Sequence, residues 1–397
     1  MTRVVVADRL ITCDDGSAGV IEDGALVVGD DGRIAWLGPQ AGLPPLFGPP
    51  GERAPLVSPG LIDAHTHAAW AGSRHAEYAV RMAGGDYVAI ANAGGGIVST
   101  HRAVSEASEQ ELFDLLAARL RRMAALGVTT VEVKSGYGLL PELELKQLRA
   151  IARAAACDDL PRVVPTFLAL HALPPGADKP RYVAAACELV ADVAARGLAR
   201  YVDAYVDEHA FSLADARELG RAAARAGLGV RLHVGQFSDI GGAALAAELG
   251  ARSADHLEHL AEDGARALAG AGVTAGLLPT AAFTLAQRPP DVAMLRRAGV
   301  RMLVASDANP GTAPTESLPL AMALGVRAFG LTPEEALLGA TRHAGDSLDL
   351  PDGGVLRVGA PADLVLWDLP HEVALVQPWG TPRARLVLRD GLPIARG

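Results

Sequence analysis

The two ends of the chain share one texture. "RVVVADRLITC" and "GALVVGDDGRIAWLG" near the start are short apolar runs broken by Gly and Asp. "GGVLRVGAPADLVLWDL" and "ARLVLRDG" near the end repeat the pattern. Such runs read as strands punctuated by turns. Neither end is long enough for a core of its own. They are therefore expected to pair into one small β-sandwich-like domain, made of residues 1–57 and 347–397, with "GPQAGLPPLFGPPGERAP" as the way out of it.

Residues 58–346 have a different rhythm. Eight β-like runs follow one another: "LIDAHTHAA", "VTTVEVKSG", "RVVPTFLALH", "YVDAYVDEH", "VRLHVGQF", "SADHLEHL", "VTAGLLPT" and "VRMLVASD". Most are separated by helical stretches such as "EQELFDLLAARLRRMAALG" and "ADARELGRAAARAG". Eight β–α units in sequence predict an α/β fold, a (β/α)8 TIM-like barrel. The competing architecture is an open doubly wound sheet. Its nucleotide-binding version lacks support, because no Gly-x-Gly-x-x-Gly follows a strand. The glycine triplet of "ANAGGGIVST" lies in the long first βα connection and reads as a lid or tight turn.

Composition narrows the classes. The chain has 397 residues, half of them hydrophobic, enough for a large core. A net charge of −10 without a basic stripe argues against nucleic acid. No apolar run reaches membrane-spanning length, and "MTRVVVADRL" meets charge too early for a secretory signal. Cys13, Cys157 and Cys187 are scattered and odd in number, which fits a reducing cytosol. A cytoplasmic protein acting on a small molecule is the expectation.

The polar residues then fall into place. In a (β/α)8 barrel the chemistry sits at the C-terminal ends of the strands. Those ends carry His65 and His67, Lys134, His171, Glu208 and His209, His233, His256 and Asp307. A lone histidine is more often structural than functional, but six of the eleven histidines gather here. In "PGLIDAHTHAAW", two imidazoles at i and i+2 on a strand would point to one side and converge on a metal ion.

These residues resemble the amidohydrolase superfamily: HTH on the first strand, His on the fifth and sixth, Asp on the eighth. "GGGIVSTHRAVSEASEQEL", "GVTTVEVKSGYGL", "VVPTFLALHALPP", "LGARSADHLEH" and "SDANPGTAPTESLPL" are similar to the imidazolonepropionases within it, from about Pro59 to Gly345. The resemblance implies one divalent ion, zinc before iron, held by His65, His67, His233 and Asp307. It implies that Asp307 moves the water's proton to the departing nitrogen and that His256 polarises the carbonyl or shares in proton transfer. It implies substrate contacts from Arg74 and Tyr137 to a carboxylate tail, from Tyr87 and His171, and from Gln236 and Asn309 to the ring. The reaction implied is opening of the cyclic amide of 4-imidazolone-5-propanoate, by a homodimer.

Two positions depart from the family's usual pattern. "HVGQF" has neutral Gln236 where an acid is common, and "DEHAF" has His209 where glycine is common. Related binuclear enzymes carry a bridging lysine on the fourth strand; this chain has "VDEH" there, and Lys134 lies on the second. One ion is therefore expected, with Glu208 a rim carboxylate or, less favoured, a second ligand. Two further readings stay open. One is another mononuclear hydrolase or deaminase of a cyclic amide or amidine with a carboxylate tail. The other is an inactive barrel used as a binding module.

Overall fold

The computed structural model describes residues 2–85, 95–377, 379–380 and 383–397. Eight parallel strands follow in chain order: β5 (Leu61–Asp63), β6 (Val128–Lys134), β7 (Arg162–Leu170), β8 (Tyr201–Val206), β9 (Gly229–Val234), β10 (Ser253–His256), β11 (Thr274–Leu277) and β12 (Met302–Val304). Each pairs with its sequence neighbours. The ring closes just past the ends of β5 and β12. There Thr66 pairs in parallel with Ala308, Asp307 N–H donates to His65 O (3.1 Å) and His67 N–H to Ala308 O (3.0 Å). The barrel expected from the eight runs is the one observed.

Strand alternation sorts the side chains. On β8, Val202, Ala204 and Val206 join the core under the helices, while Asp203 lies on the opposite, inward side. On β9, Leu232 and Val234 pack outward and Arg231 and His233 inward, as a period of two requires. Because helices cover the outside, both faces are buried, and all seven residues of β6 are buried.

The termini make one hydrogen-bonded sheet. Its strands are β1 (Arg3–Ile11), β2 (Val20–Val28), β3 (Ile34–Pro39) and β4 (Glu52–Pro59) from the start, and β13 (Leu364–Trp367), β14 (Ala384–Arg389) and β15 (Leu392–Arg396) from the end. Their order is β15-β14-β13-β4-β1-β2-β3. Alternation again divides the residues. Leu364, Leu366, Leu386 and Leu388 form the sheet's own core with Val5, Leu26 and Ile34. Val365, Trp367 and Val387 turn to the barrel's core instead. The indole Nε1–H of Trp367 donates to Ser58 Oγ at 2.9 Å. No helix among the described residues is long and apolar enough to cross a membrane.

Candidate metal centre and substrate cavity

The barrel brings three imidazoles together. His65, His67 and His233 form the one group of potential ligands, among the described residues, whose donor atoms lie within 4.8 Å of one another. Carboxylates set the orientation of two of them. His65 Nδ1–H donates to Asp255 Oδ2 (2.7 Å) and His233 Nδ1–H to Asp203 Oδ1 (3.1 Å). Their Nε2 atoms are thereby left for the interior. His233 Nε2 stands 3.3 Å from His67 Nε2. Asp307 approaches beside this group, its Oδ1 lying 3.5 Å from His65 Nε2 and 3.3 Å from His67 Nε2. Asp307 has a left-handed φ of 55°, which aspartate tolerates better than most residues.

These atoms fit a metal ion. Four donors placed tetrahedrally around zinc stand about 3.3 Å apart. His65 Nε2 and Asp307 Oδ1 are buried without a hydrogen-bond partner, a costly state that an ion would relieve. The rings also offer lone pairs. Burial pushes the pKa of His67 down to about 3 and that of His233 to about 4, and holds His65 well below the ordinary histidine value. The family described below and this histidine-rich site together imply a metal cofactor.

Behind the histidines lies a buried charge network. Lys134 Nζ donates to Glu132 Oε1 (2.8 Å) and Asp203 Oδ2 (2.7 Å), all three fully buried. Burial opposes the lysine's charge, but Asp203 and Glu132 outweigh it and raise its pKa. Arg231 donates to Ser347 O and Ala64 O and lies 3.8 Å from Asp255 Oδ2. The carboxylates that aim the histidines are thus flanked by buried cations.

Above the histidines a cavity of about 560 Å³, counting its open mouth, is lined by Arg74, Tyr137, His171, Gln236, His256 and Asn309, among others. Tyr87 lies outside the described residues. Arg74 is buried, its Nε–H donating to Glu77 Oε2 at 2.8 Å. The guanidinium lies against Gly311, where an added Cβ would fall 2.1 Å from Nη1. His171 Nδ1–H donates to Gly136 O (2.8 Å), so its Nε2 is an acceptor. Tyr137 sits on a turn clamped by the helix Pro141–Ala155: Gln147 Oε1 accepts from the amides of Tyr137 and Gly138, and Glu144 from those of Gly136 and Leu139. Gly136 is required there, since its φ is +100° and an added Cβ would press on Leu168.

Asn309 differs from the expected ring contact. Its Oδ1 accepts from Gly311 N–H and Thr312 N–H, and its Nδ2 donates to Asp307 O and Thr312 Oγ1. The amide is used up in shaping its own loop. Glu208 and His209 are exposed and do not line the cavity. Asp203 and Asp255, which orient the ligating rings, were not singled out by the sequence reading. The available signal was an acid at an inward-facing position of a buried strand, in "YVDAYV" and "SADH".

The sequence profile of the amidohydrolase family matches residues 56–391. An imidazolonepropionase of Polaromonas sp. strain JS666 is 45% identical, with 95% of this chain and 90% of the relative covered. An imidazolonepropionase of Cupriavidus metallidurans is 46% identical, covering 96% and 93%. Among solved structures, a zinc-bound adenosine deaminase from Xanthomonas campestris superposes with a TM-score of 0.72 at 19% identity, covering 98% of this chain and 92% of that one. That likeness shows the shared fold; the sequence matches show the family. The chain belongs to the amidohydrolase family, and within it to the imidazolonepropionases.

Proposed function

We propose that this protein hydrolyses the cyclic amide of 4-imidazolone-5-propanoate to N-formimidoyl-L-glutamate. The observation that carries the reading is one cavity with two chemical ends. His65, His67, His233 and Asp307 converge at its floor, and the buried guanidinium of Arg74 lies in its wall. A divalent ion held by those four residues supplies Lewis acidity, enough to make water a nucleophile near neutral pH. Arg74 and Tyr137 bind the carboxylate tail, the guanidinium as a fork. The Oε1 of Gln236 accepts from the ring N–H, and His171 makes a further contact with the substrate. Asp307 accepts the proton of the attacking water and returns it to the ring nitrogen as the C–N bond breaks, so the proton count balances. His256 polarises the attacked carbonyl or shares in that transfer. Asn309 acts through the loop it shapes, placing Gly311 beneath Arg74. Tyr87 belongs to the same reading as a substrate contact.

One ion, zinc before iron, is the proposed complement. The donor set of imidazole and carboxylate accepts either. A positively charged Lys134 between two carboxylates is no bridging carbamate, which supports a mononuclear site. A cytoplasmic homodimer completes the reading. Three free cysteines fit the compartment, and light scattering tests the dimer.

A second reading has an observation of its own: the neutral Gln236 in the cavity wall. It would make the substrate a related cyclic amide or amidine with the same tail. The test measures metal content and ring opening for the wild type and for Gln236→Glu. One equivalent of metal and turnover by the wild type are expected, with Gln236→Glu within about tenfold, or ~1.4 kcal/mol. An inert wild type beside an active Gln236→Glu would transfer the assignment to the second reading. Two tightly bound equivalents would end the mononuclear proposal.

A further inference from the structure

Glu258 has no role in the chemistry above, yet its surroundings are unusual. It is 3% exposed, and neither carboxylate oxygen meets a hydrogen-bond donor. Folds rarely keep such a group, because a carboxylate stripped of water and donors is costly. Across from it is His256, whose Nδ1 is also buried and unpartnered. The gap from that Nδ1 to Glu258 Oε1 is 3.8 Å. A donor without an acceptor thus faces an acceptor without a donor.

The backbone explains how they meet. On β10, Ala254 packs outward under the helices, so Ser253 and Asp255 face inward. Strict alternation would then turn His256 outward, away from the cavity. Instead His256 has φ +85° and Leu257 φ +71°. Two successive left-handed residues that are not glycine are a strained arrangement of the kind held in place at functional sites. The turn is anchored by Leu257 N–H to Val234 O (3.0 Å) and His259 N–H to Gly235 O (2.8 Å). It swings the His256 ring into the cavity lining and leaves Glu258 buried at its Nδ1 edge.

We propose that Glu258 is a positioning residue that accepts the Nδ1–H of His256, so that Nε2 is the nitrogen presented to substrate. The ring's tautomer is thereby fixed by a neighbour two residues along the chain. A gap of 3.8 Å closes to a hydrogen bond by a small rotation of either side chain, and bonds of this kind commonly tighten when substrate binds. The proposal rests on the reading of His256 as a participant in the reaction, and the test separates the two.

Glu258→Gln, Glu258→Leu, His256→Ala and the two double variants are compared, with metal content measured alongside. Glu258→Leu is expected to lower kcat about 10–100-fold, with KM and bound metal little changed. Glu258→Gln should lose less, because its Oε1 still accepts. In the His256→Ala background neither Glu258 change should cost anything more. Histidine labelled with ¹⁵N gives a second readout that needs no substrate. The His256 Nδ1–H signal, assigned by its loss in His256→Ala, should move upfield in Glu258→Gln and further in Glu258→Leu. Equal losses in both backgrounds, or an Nδ1–H signal unmoved by Glu258→Gln, would overturn the proposal, and the latter measurement stands even if Glu258→Leu fails to fold. Full turnover by His256→Ala would instead remove His256 from the chemistry, while the signal still reported whether Glu258 holds it.

Discussion

Lys134 shows how much a single side chain does in this barrel. Its ammonium is shared by Glu132 and Asp203 with no exposure to water. Replacing it by Met leaves two buried carboxylates without their cation, and breaking such a set costs about 3–5 kcal/mol. Denaturant melts of Lys134→Met should show that loss; a stability within 1 kcal/mol of wild type, on the order of a surface change, would mean that the network is dispensable. Asp203 and Asp255 act one step nearer the ion. Asp203→Asn and Asp255→Asn should each weaken metal affinity about 10–100-fold, read by competition with a chelator. Gly311 tests the Arg74 fork from the opposite side. A methyl group there would occupy the guanidinium's place, so Gly311→Ala should raise KM with kcat largely kept. A KM equal to wild type would take the fork out of substrate binding.

At the scale of elements, the strands were legible and the turns that end them were not. All eight β-like runs of the barrel contain a strand, and His65, His67, His233 and Asp307, the set implied by the family resemblance, converge at or just past strand ends. Local pattern carries that information because strand period and C-terminal placement are properties of short segments. The carboxylates behind the histidines are a different matter. Asp255 meets His65 across 190 residues, and no local pattern reports such a contact. Nor does period two foresee His256, whose direction comes from a left-handed turn. The resemblance implies a ring contact from Asn309, whereas its neighbours occupy both ends of its amide. The Tyr137 turn is likewise held by a helix rather than by itself. Gln147→Ala should free two buried amide donors, each worth about 1–3 kcal/mol. It should loosen substrate binding along with stability. Unchanged KM would show that the turn holds its shape without the clamp.

At the scale of the molecule, the terminal sheet and the barrel share packing. Trp367 crosses between them and abuts Gly127, which has φ +92° and would place a Cβ 2.2 Å from the indole. Gly127→Ala combines backbone strain with overpacking, so a loss of about 1–3 kcal/mol is expected. A melting curve like that of the wild type would show the joint to be slack. The ring itself closes through the contacts around Thr66 and Ala308, and the same short seam carries His65, His67 and Asp307. A cation bound by those three, with His233 from β9, would therefore rivet the beginning of the barrel to its end. Chelation then becomes a mechanical event as well as a chemical one. The amides of His67 and Asp307 should exchange with deuterium faster in the stripped protein than in the loaded one, while those of β8, on the far side of the ring, keep their protection. A uniform change around the ring would instead mean that the hoop holds without its rivet.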